Sequence, residues 1–145
     1  MSRVFVDSSV WIEHLRGVDR RETRSLRGIL QRLDPKAEVA EPHEILVGDL
    51  VIVEVLRGID DDRQRHRVRE ALLAFKVVRL GGTATALLAV DHYVALRRLG
   101  QTVRKTIDCL IAAWCIEHDV ALLHADRDFL PFVEHFGLKV AYSEA

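Results

Sequence analysis

The sequence predicts a single α/β domain built on a parallel sheet, and three observations carry that prediction. Short runs of strand length, Arg3 to Val6, Ile45 to Val47, Val77 to Val78 and Val120 to Leu123, alternate along the chain with longer stretches of helical periodicity. The run Val120-Ala121-Leu122-Leu123 is apolar throughout and bounded by polar residues, the pattern of a strand covered on both faces. Acids stand directly after the first and last of these runs, Asp7 after one and Asp126 and Asp128 after the other. Open α/β sheets place their ligand sites at the carboxyl ends of their strands. At 145 residues the chain fits one domain, 1–145, long enough to bury a real core.

Composition excludes several classes. With 49% hydrophobic and 30% charged residues the chain is neither disordered nor membranous, and no apolar stretch reaches the roughly 18 residues of a spanning helix. The opening Met-Ser-Arg-Val-Phe-Val-Asp enters a strand at once and lacks the design of a signal peptide, so a cytoplasmic location is expected. Cys109 and Cys115 lie six apart on one predicted helix, pointing to different faces, and are expected as unbridged core residues. A net charge of −1 gives no global attraction to nucleic acid. Yet 17 of the 21 cations are Arg, bunched at 16–32 and 57–69, and the guanidinium fork binds phosphate or carboxylate, so these bunches suit RNA or an acidic partner.

Taken in order, Arg3 to Val6 reads as a strand, and Asp7-Ser8-Ser9 as the capping turn of a helix carrying Val10, Trp11 and Leu15 and stopped by Gly17. Asp7 is either an N-cap or a functional acid, and Ser8 and Ser9 share that ambiguity. From Arg21 to Leu33, Leu26, Ile29, Leu30 and Leu33 recur at i, i+3, i+4 and i+7, which predicts an amphipathic helix with Arg outside. Residues 34–44, with two prolines, read as a loop. Ile45 to Val47 is a short strand, and Asp49 reads as the cap of a helix ending at Arg57. Within it Glu54 is the lone acid among β-branched residues, which predicts either pairing with Arg57 or a cation from elsewhere in the fold. Asp60 to Ala74 predicts a charged helix whose three opening aspartates suit its positive end. After the strand Val77-Val78, Thr83 to Leu99 reads as a long helix with Leu87, Val90, Val94 and Tyr93 inward. Ile107 to Ile116 reads as a helix buried on most of its circumference, with Thr106 as its cap and Asp108 in its first turn. Beyond the strand Val120 to Leu123, an extended chain would point Asp126 and Asp128 into one crevice. A helix from Pro131 to Phe136 and an edge strand from Leu138 to Ala141 complete the chain.

Asp7, Glu54, Asp108 and Asp126 share one feature: each sits at a strand end or in a helix that its surroundings would bury. In an alternating α/β chain these positions converge on one edge of the sheet. Two unit charges about 4 Å apart repel by roughly 4 kcal/mol at an effective dielectric of 20, so four carboxylates there require protons or a hard cation. Oxygen ligands without Cys or paired His select Mg²⁺ or Mn²⁺ over zinc. Ions held this way activate water and stabilise charge on a phosphate, which points to phosphodiester cleavage.

The order Val-Phe-Val-Asp7-Ser-Ser, Val-Glu54-Val-Leu-Arg-Gly, Thr-Ile-Asp108-Cys-Leu-Ile-Ala and Leu-Leu-His-Ala-Asp126-Arg-Asp128-Phe resembles the PIN domain over almost the whole chain, in particular the VapC toxins of bacterial type II toxin-antitoxin pairs. The resemblance implies a three-layer α/β/α fold with a central parallel sheet, an endoribonuclease activity dependent on Mg²⁺ or Mn²⁺, a homodimer and a small VapB-like antitoxin partner. It also implies metal ligation by Asp7, Glu54, Asp108 and Asp126, with Asp128 as an auxiliary acid. Ser8 would be a hydroxyl behind those ligands, and Thr106 the cap that holds the helix of Asp108. His124 stands where many members carry Thr or Ser, and residues 34–44 look longer than the usual connection. The antitoxin would lie in grooves lined by the Leu26, Ile29, Leu30 and Leu56 faces. Alternatives are a PIN-like module that binds RNA or protein without catalysis, and a housekeeping RNA-processing nuclease.

Overall fold

The computed structural model describes residues 2–33 and 43–141. Four strands, β1 (Ser2–Val6), β2 (His43–Gly48), β3 (Lys76–Val78) and β4 (Ala121–Leu123), form one wholly parallel sheet in the order β3-β2-β1-β4. Val4 of β1 is paired with Ile45 on one side and Ala121 on the other. Phe5, Val6, Leu46, Val47, Leu122 and Leu123 are all buried. Consecutive residues of a strand point to opposite faces, so their joint burial means that helices cover both sides of the sheet.

Among the described residues there are seven helices to supply that cover: α1 (Ser8–Leu15), α2 (Arg21–Arg32), α3 (Asp49–Leu56), α4 (Asp62–Leu73), α5 (Thr83–Arg98), α6 (Thr106–His118) and α7 (Leu130–Phe136). The central parallel sheet flanked by helices is the architecture expected from the sequence. Going outward from β1, the chain proceeds to β2 and β3 on one side, whereas β4 lies alone on the other. The winding therefore reverses between β1 and β4, and the crevice at their carboxyl ends is where such sheets hold ligands. Asp7 leaves β1 there and Asp126 follows β4, and the Asp7 backbone N–H donates to Leu123 O at 3.0 Å to close the two exits together.

Several elements differ from expectation. In α5 the buried side chains are Thr85, Ala89, His92 and Leu96, whereas Leu87 and Val90 are 64% and 57% exposed. The helix carries two stripes of helical spacing, and the one of smaller residues wins. Its Thr85 hydroxyl reaches Glu117 of α6 at 3.3 Å, and its His92 ring stacks on Phe136 with centroids 4.4 Å apart. Leu33 at the end of α2 is likewise exposed. Helix α3 is capped at Gly48, and Asp49 is its first residue, its carboxylate accepting from Leu50 N and from Leu80 N at 2.8 and 3.0 Å. The strand expected at 138–141 is a single parallel bridge, Val140 against Leu122, because Gly137 in the left-handed region has just ended α7. The loop read over 34–44 lies outside the described residues as far as 42, and its last two residues belong to β2. Cys109 and Cys115 are buried and unbridged, as expected.

Gly48 turns β2 into α3 under close contact. A Cβ there would lie 2.7 Å from both Leu80 Cδ1 and Phe5 Cζ, two fully buried side chains. Gly48→Ala is therefore expected to destabilise the fold by about 1–3 kcal/mol, the usual cost of overpacking. Urea unfolding checks this, and a midpoint equal to that of the parent would show that the core yields freely.

Candidate metal centre

The site is built from the ends of β1 and β4 and the first turn of α6. Phe5 and Val6 anchor β1 in the core and carry Asp7 to the sheet edge, where it is 2% exposed. Asp7 caps α1, its Oδ2 accepting from Ser9 N at 3.1 Å and from Ser9 Oγ at 2.5 Å. Its other oxygen, Oδ1, is buried and accepts no hydrogen bond among the described residues. Burial pushes the Asp7 carboxyl up to about 6; the Ser9 bonds oppose that rise, and the charge of Glu54 adds to it.

Asp108 enters from α6. The flanking Cys109, Ile111 and Ala112 are buried, so the first turn of the helix takes Asp108 in with them, to 3% exposure. Its Oδ2 is also buried and lacks a hydrogen-bond partner among the described residues. Burial raises this carboxyl to about 7, with the charges of Asp7, Asp126 and Glu54 raising it further and Lys105 pulling it back. Leaving such an oxygen unpaired costs on the order of 1–3 kcal/mol.

Asp126 and Asp128 stand on a turn. Asp126 caps a single 3-10 turn, Arg127–Phe129, and its Oδ1 accepts from Asp128 N at 2.9 Å. Asp126 itself is extended, and the tight turn begins just after it, with Phe129 fully buried; the two carboxylates meet as an extended path would also have allowed. One carboxylate oxygen from each of Asp108, Asp126 and Asp128 lies within 4.8 Å of the others. Lys105 Nζ lies 3.3 Å from Asp126 Oδ2. Asp7 and Glu54 fall outside this group of three but share its field, as their effect on Asp108 shows.

A hard divalent cation fits these groups. The donors are carboxylate oxygens alone, three converge within ligand spacing, and the buried oxygens of Asp7 and Asp108 have no hydrogen-bond partner among the described residues. The model of the PIN domain family matches residues 4–132. The chain belongs to the PIN domain family.

Among its relatives is Ribonuclease VapC11 of Mycobacterium tuberculosis (strain H37Rv), 28% identical over 126 residues, which span 87% of this PIN domain chain and 88% of the relative. VapC ribonuclease Mb1587 of Mycobacterium bovis matches with the same identity and coverage. Among solved structures, VapBC2 from Rickettsia felis bound to a DNA fragment from its promoter superposes with a TM-score of 0.71 at 12% identity, over 98% of this chain and 99% of that one. VapBC-1 from nontypeable Haemophilus influenzae gives 0.68 at 13% identity, over 95% and 96%. At such identities these structures speak for the fold alone.

Within this PIN domain the other expected residues fall as follows. Glu54 is half-buried on α3 and accepts from Ser8 Oγ at 3.1 Å; among the described residues it pairs neither with Arg57 nor with another cation. Ser8 thus stands behind Glu54. Thr106 does not cap α6: the cap position is Lys105, whose side chain makes no capping hydrogen bond, and Thr106 is the exposed first residue. Leu26 and Ile29 are buried core residues, so they line no groove for a partner, whereas Leu30 and Leu56 are partly buried and pack against the core. Ser9 and Lys105 had drawn no assignment from the resemblance. Ser9 Oγ donates to Asp7 and accepts from Ala125 N at 3.2 Å, tying the β1 acid to the exit of β4. The doubled serine after Asp7 was the only sequence sign of it. A lysine directly before a helix that starts with a buried acid was the corresponding sign for Lys105.

Proposed function

We propose that this chain, as a single domain over 1–145, is a divalent-metal-dependent endoribonuclease acting in the cytoplasm as the toxin of a type II toxin-antitoxin pair. The observation that carries the reading is the convergence of Asp108, Asp126 and Asp128 beside two buried, unpartnered carboxylate oxygens, at the crevice where the winding of the sheet reverses. The ribonuclease names of the relatives and the VapBC assemblies among the structural neighbours support it.

In this reading Asp7, Glu54, Asp108 and Asp126 hold Mg²⁺ or Mn²⁺, with Asp128 as an auxiliary acid. When bound, the ion supplies Lewis acidity that readies water for attack and offsets the charge building on the phosphate. The chain supplies the positioning. Ser9 fixes Asp7 Oδ2 and leaves Oδ1 to act as ligand, Ser8 orients Glu54, and Asp128 N holds Asp126 Oδ1. Lys105 balances part of the negative charge before the ion and the RNA arrive. No helix among the described residues is long and apolar enough to cross a membrane. A homodimer and a small VapB-like antitoxin complete the reading, the latter restraining the nuclease in the cell.

The test is metal removal. Purified protein is expected to cleave single-stranded RNA in Mn²⁺, to lose the activity in EDTA and to regain it when Mn²⁺ is returned in excess. Cleavage that persists at full rate in EDTA would end the proposal.

A further inference from the structure

Beside the metal centre lies a polar cavity of about 260 Å³ that none of the roles above uses. Its wall runs from Arg20, Arg21 and Glu22 at the start of α2 to His124, Asp126 and Arg127 at the exit of β4. Asp126 belongs to both places: one oxygen lies among the candidate metal ligands, and the same residue closes the end of the cavity. The floor includes His124, 4% exposed and packed on Phe129 with centroids 5.0 Å apart, so it is a built depression rather than a gap between mobile surface groups.

Its lining differs from that of the site it adjoins. Three arginines face it with two acids: Arg20 is paired with Glu13 at 2.6 Å, Arg21 with Glu22 at 3.3 Å, and Asp126 turns its carboxylate toward Lys105 and Asp128 N. Arg20 and Arg21 are each about half exposed, and ion pairs that open to solvent are weak enough to exchange a carboxylate for a phosphate. Once Asp126 is committed to a cation, the balance in the cavity becomes more positive. Guanidinium groups meet phosphate oxygens through paired N–H donors, and a polyanion crossing the metal centre must place its next phosphate against one of the neighbouring walls. Of the arginines bunched at 16–32 in the sequence, Arg20 and Arg21 thereby acquire a role that composition alone left open between RNA and an acidic protein. Continuity with the carboxylate cluster decides for RNA, since the strand being cut has to pass there.

We propose that this cavity binds the RNA phosphate adjacent to the one being cleaved, with Arg127 and Arg21 as its principal contacts and His124 as its floor. The inference rests on the ribonuclease reading and names a substrate subsite within it. A backbone subsite positions the strand without reading its sequence, so its loss weakens binding to all single-stranded RNAs alike.

The experiment measures binding, by fluorescence anisotropy, of a short labelled single-stranded RNA of mixed sequence. The protein carries Asp108→Asn so that the RNA stays whole, and Mn²⁺ is held constant. Each phosphate contact to a single strand contributes about 0.7 to the slope of log K against log salt. Arg127→Ala and Arg21→Ala are each expected to lower the slope by about 0.7 and to weaken binding roughly 5- to 10-fold at low salt. Arg127→Lys should restore most of the slope. Arg67→Ala, the same loss of charge on α4, should leave it unchanged.

Slopes and Kd values equal to the parent's overturn the subsite, as does an equal effect of Arg67→Ala, which would reduce the effect to net charge. Loss of affinity for an acidic peptide with RNA binding intact would also overturn it, in favour of a protein partner. If RNA binding shows the expected slopes but the protein with Asp108 intact never cleaves RNA, the subsite stands and the nuclease reading falls.

Discussion

Asp108→Asn is expected to slow RNA cleavage by roughly 10²–10³-fold, the range for removing one preorganised electrostatic group from a catalytic site, while leaving the fold intact. The two parts of this expectation have separate causes. Asparagine matches aspartate in size and shape, so the space around a side chain that is 3% exposed stays filled. What disappears is a negative charge whose Oδ2 has no hydrogen-bond partner among the described residues and whose neighbours, Asp7 first among them, repel it. Without metal that charge is a burden, and its removal should leave the unfolding temperature in EDTA equal to or above that of the parent. With metal the same charge is a ligand, and its removal should show in the rate. Single-turnover cleavage in Mn²⁺ and thermal unfolding in EDTA measure the two. A variant as fast as the parent would remove Asp108 from the metal centre. A variant that is both slow and less stable would place its role in folding.

The sequence carried the layout of this site better than its contacts. Strands and helices were legible because burial on both faces of a parallel sheet writes short apolar runs, and because caps and glycines mark the ends. The acids were legible as a group because a charge among apolar residues needs a reason. Helix α5 was misread because Leu87, Val90 and Val94 form as good a stripe as Thr85, Ala89, His92 and Leu96, and only the neighbouring helix chooses between them. The turn after Asp126 was not legible because nothing local announces that Phe129 will be drawn into the core and bend the chain behind it. Ser9 and Ala125 are 116 residues apart, and Lys105 and Asp126 are 21 apart, so the first contact exists only once β1 and β4 are paired and the second only once α6 packs on β4. Sequence spacing informs about one element at a time, whereas the cavity of Arg20, Arg21 and Arg127 is made by two.

Stability in EDTA should fall as pH rises from about 4 to about 7, and Mn²⁺ should reverse the trend. Asp7 and Asp108 have an ordinary carboxyl value of 3.8 in the unfolded chain and are raised to about 6 and about 7 in the fold. Between those values the folded protein keeps protons that the unfolded chain has released, and stability declines with pH wherever the native state binds more protons. For Asp7, raised by a little over two pH units, the decline amounts to about 3 kcal/mol, complete once the pH passes its folded value. The contribution of Asp108 falls over a window that extends to about 7. A divalent ion binds the deprotonated carboxylates and expels those protons, so its stabilising effect grows across the same window. At about 100 times the Kd it reaches roughly 2.7 kcal/mol, comparable to what ionisation removes. Unfolding temperatures recorded in EDTA and in excess Mn²⁺ should therefore nearly coincide around pH 5 and separate above pH 7. In the double variant Asp7→Asn, Asp108→Asn the two curves should nearly coincide throughout, since those protons are gone and two of the four ligands with them. Parent curves that match those of the double variant at every pH would mean that these oxygens ionise as they do in water and that burial has built no receptacle for a cation.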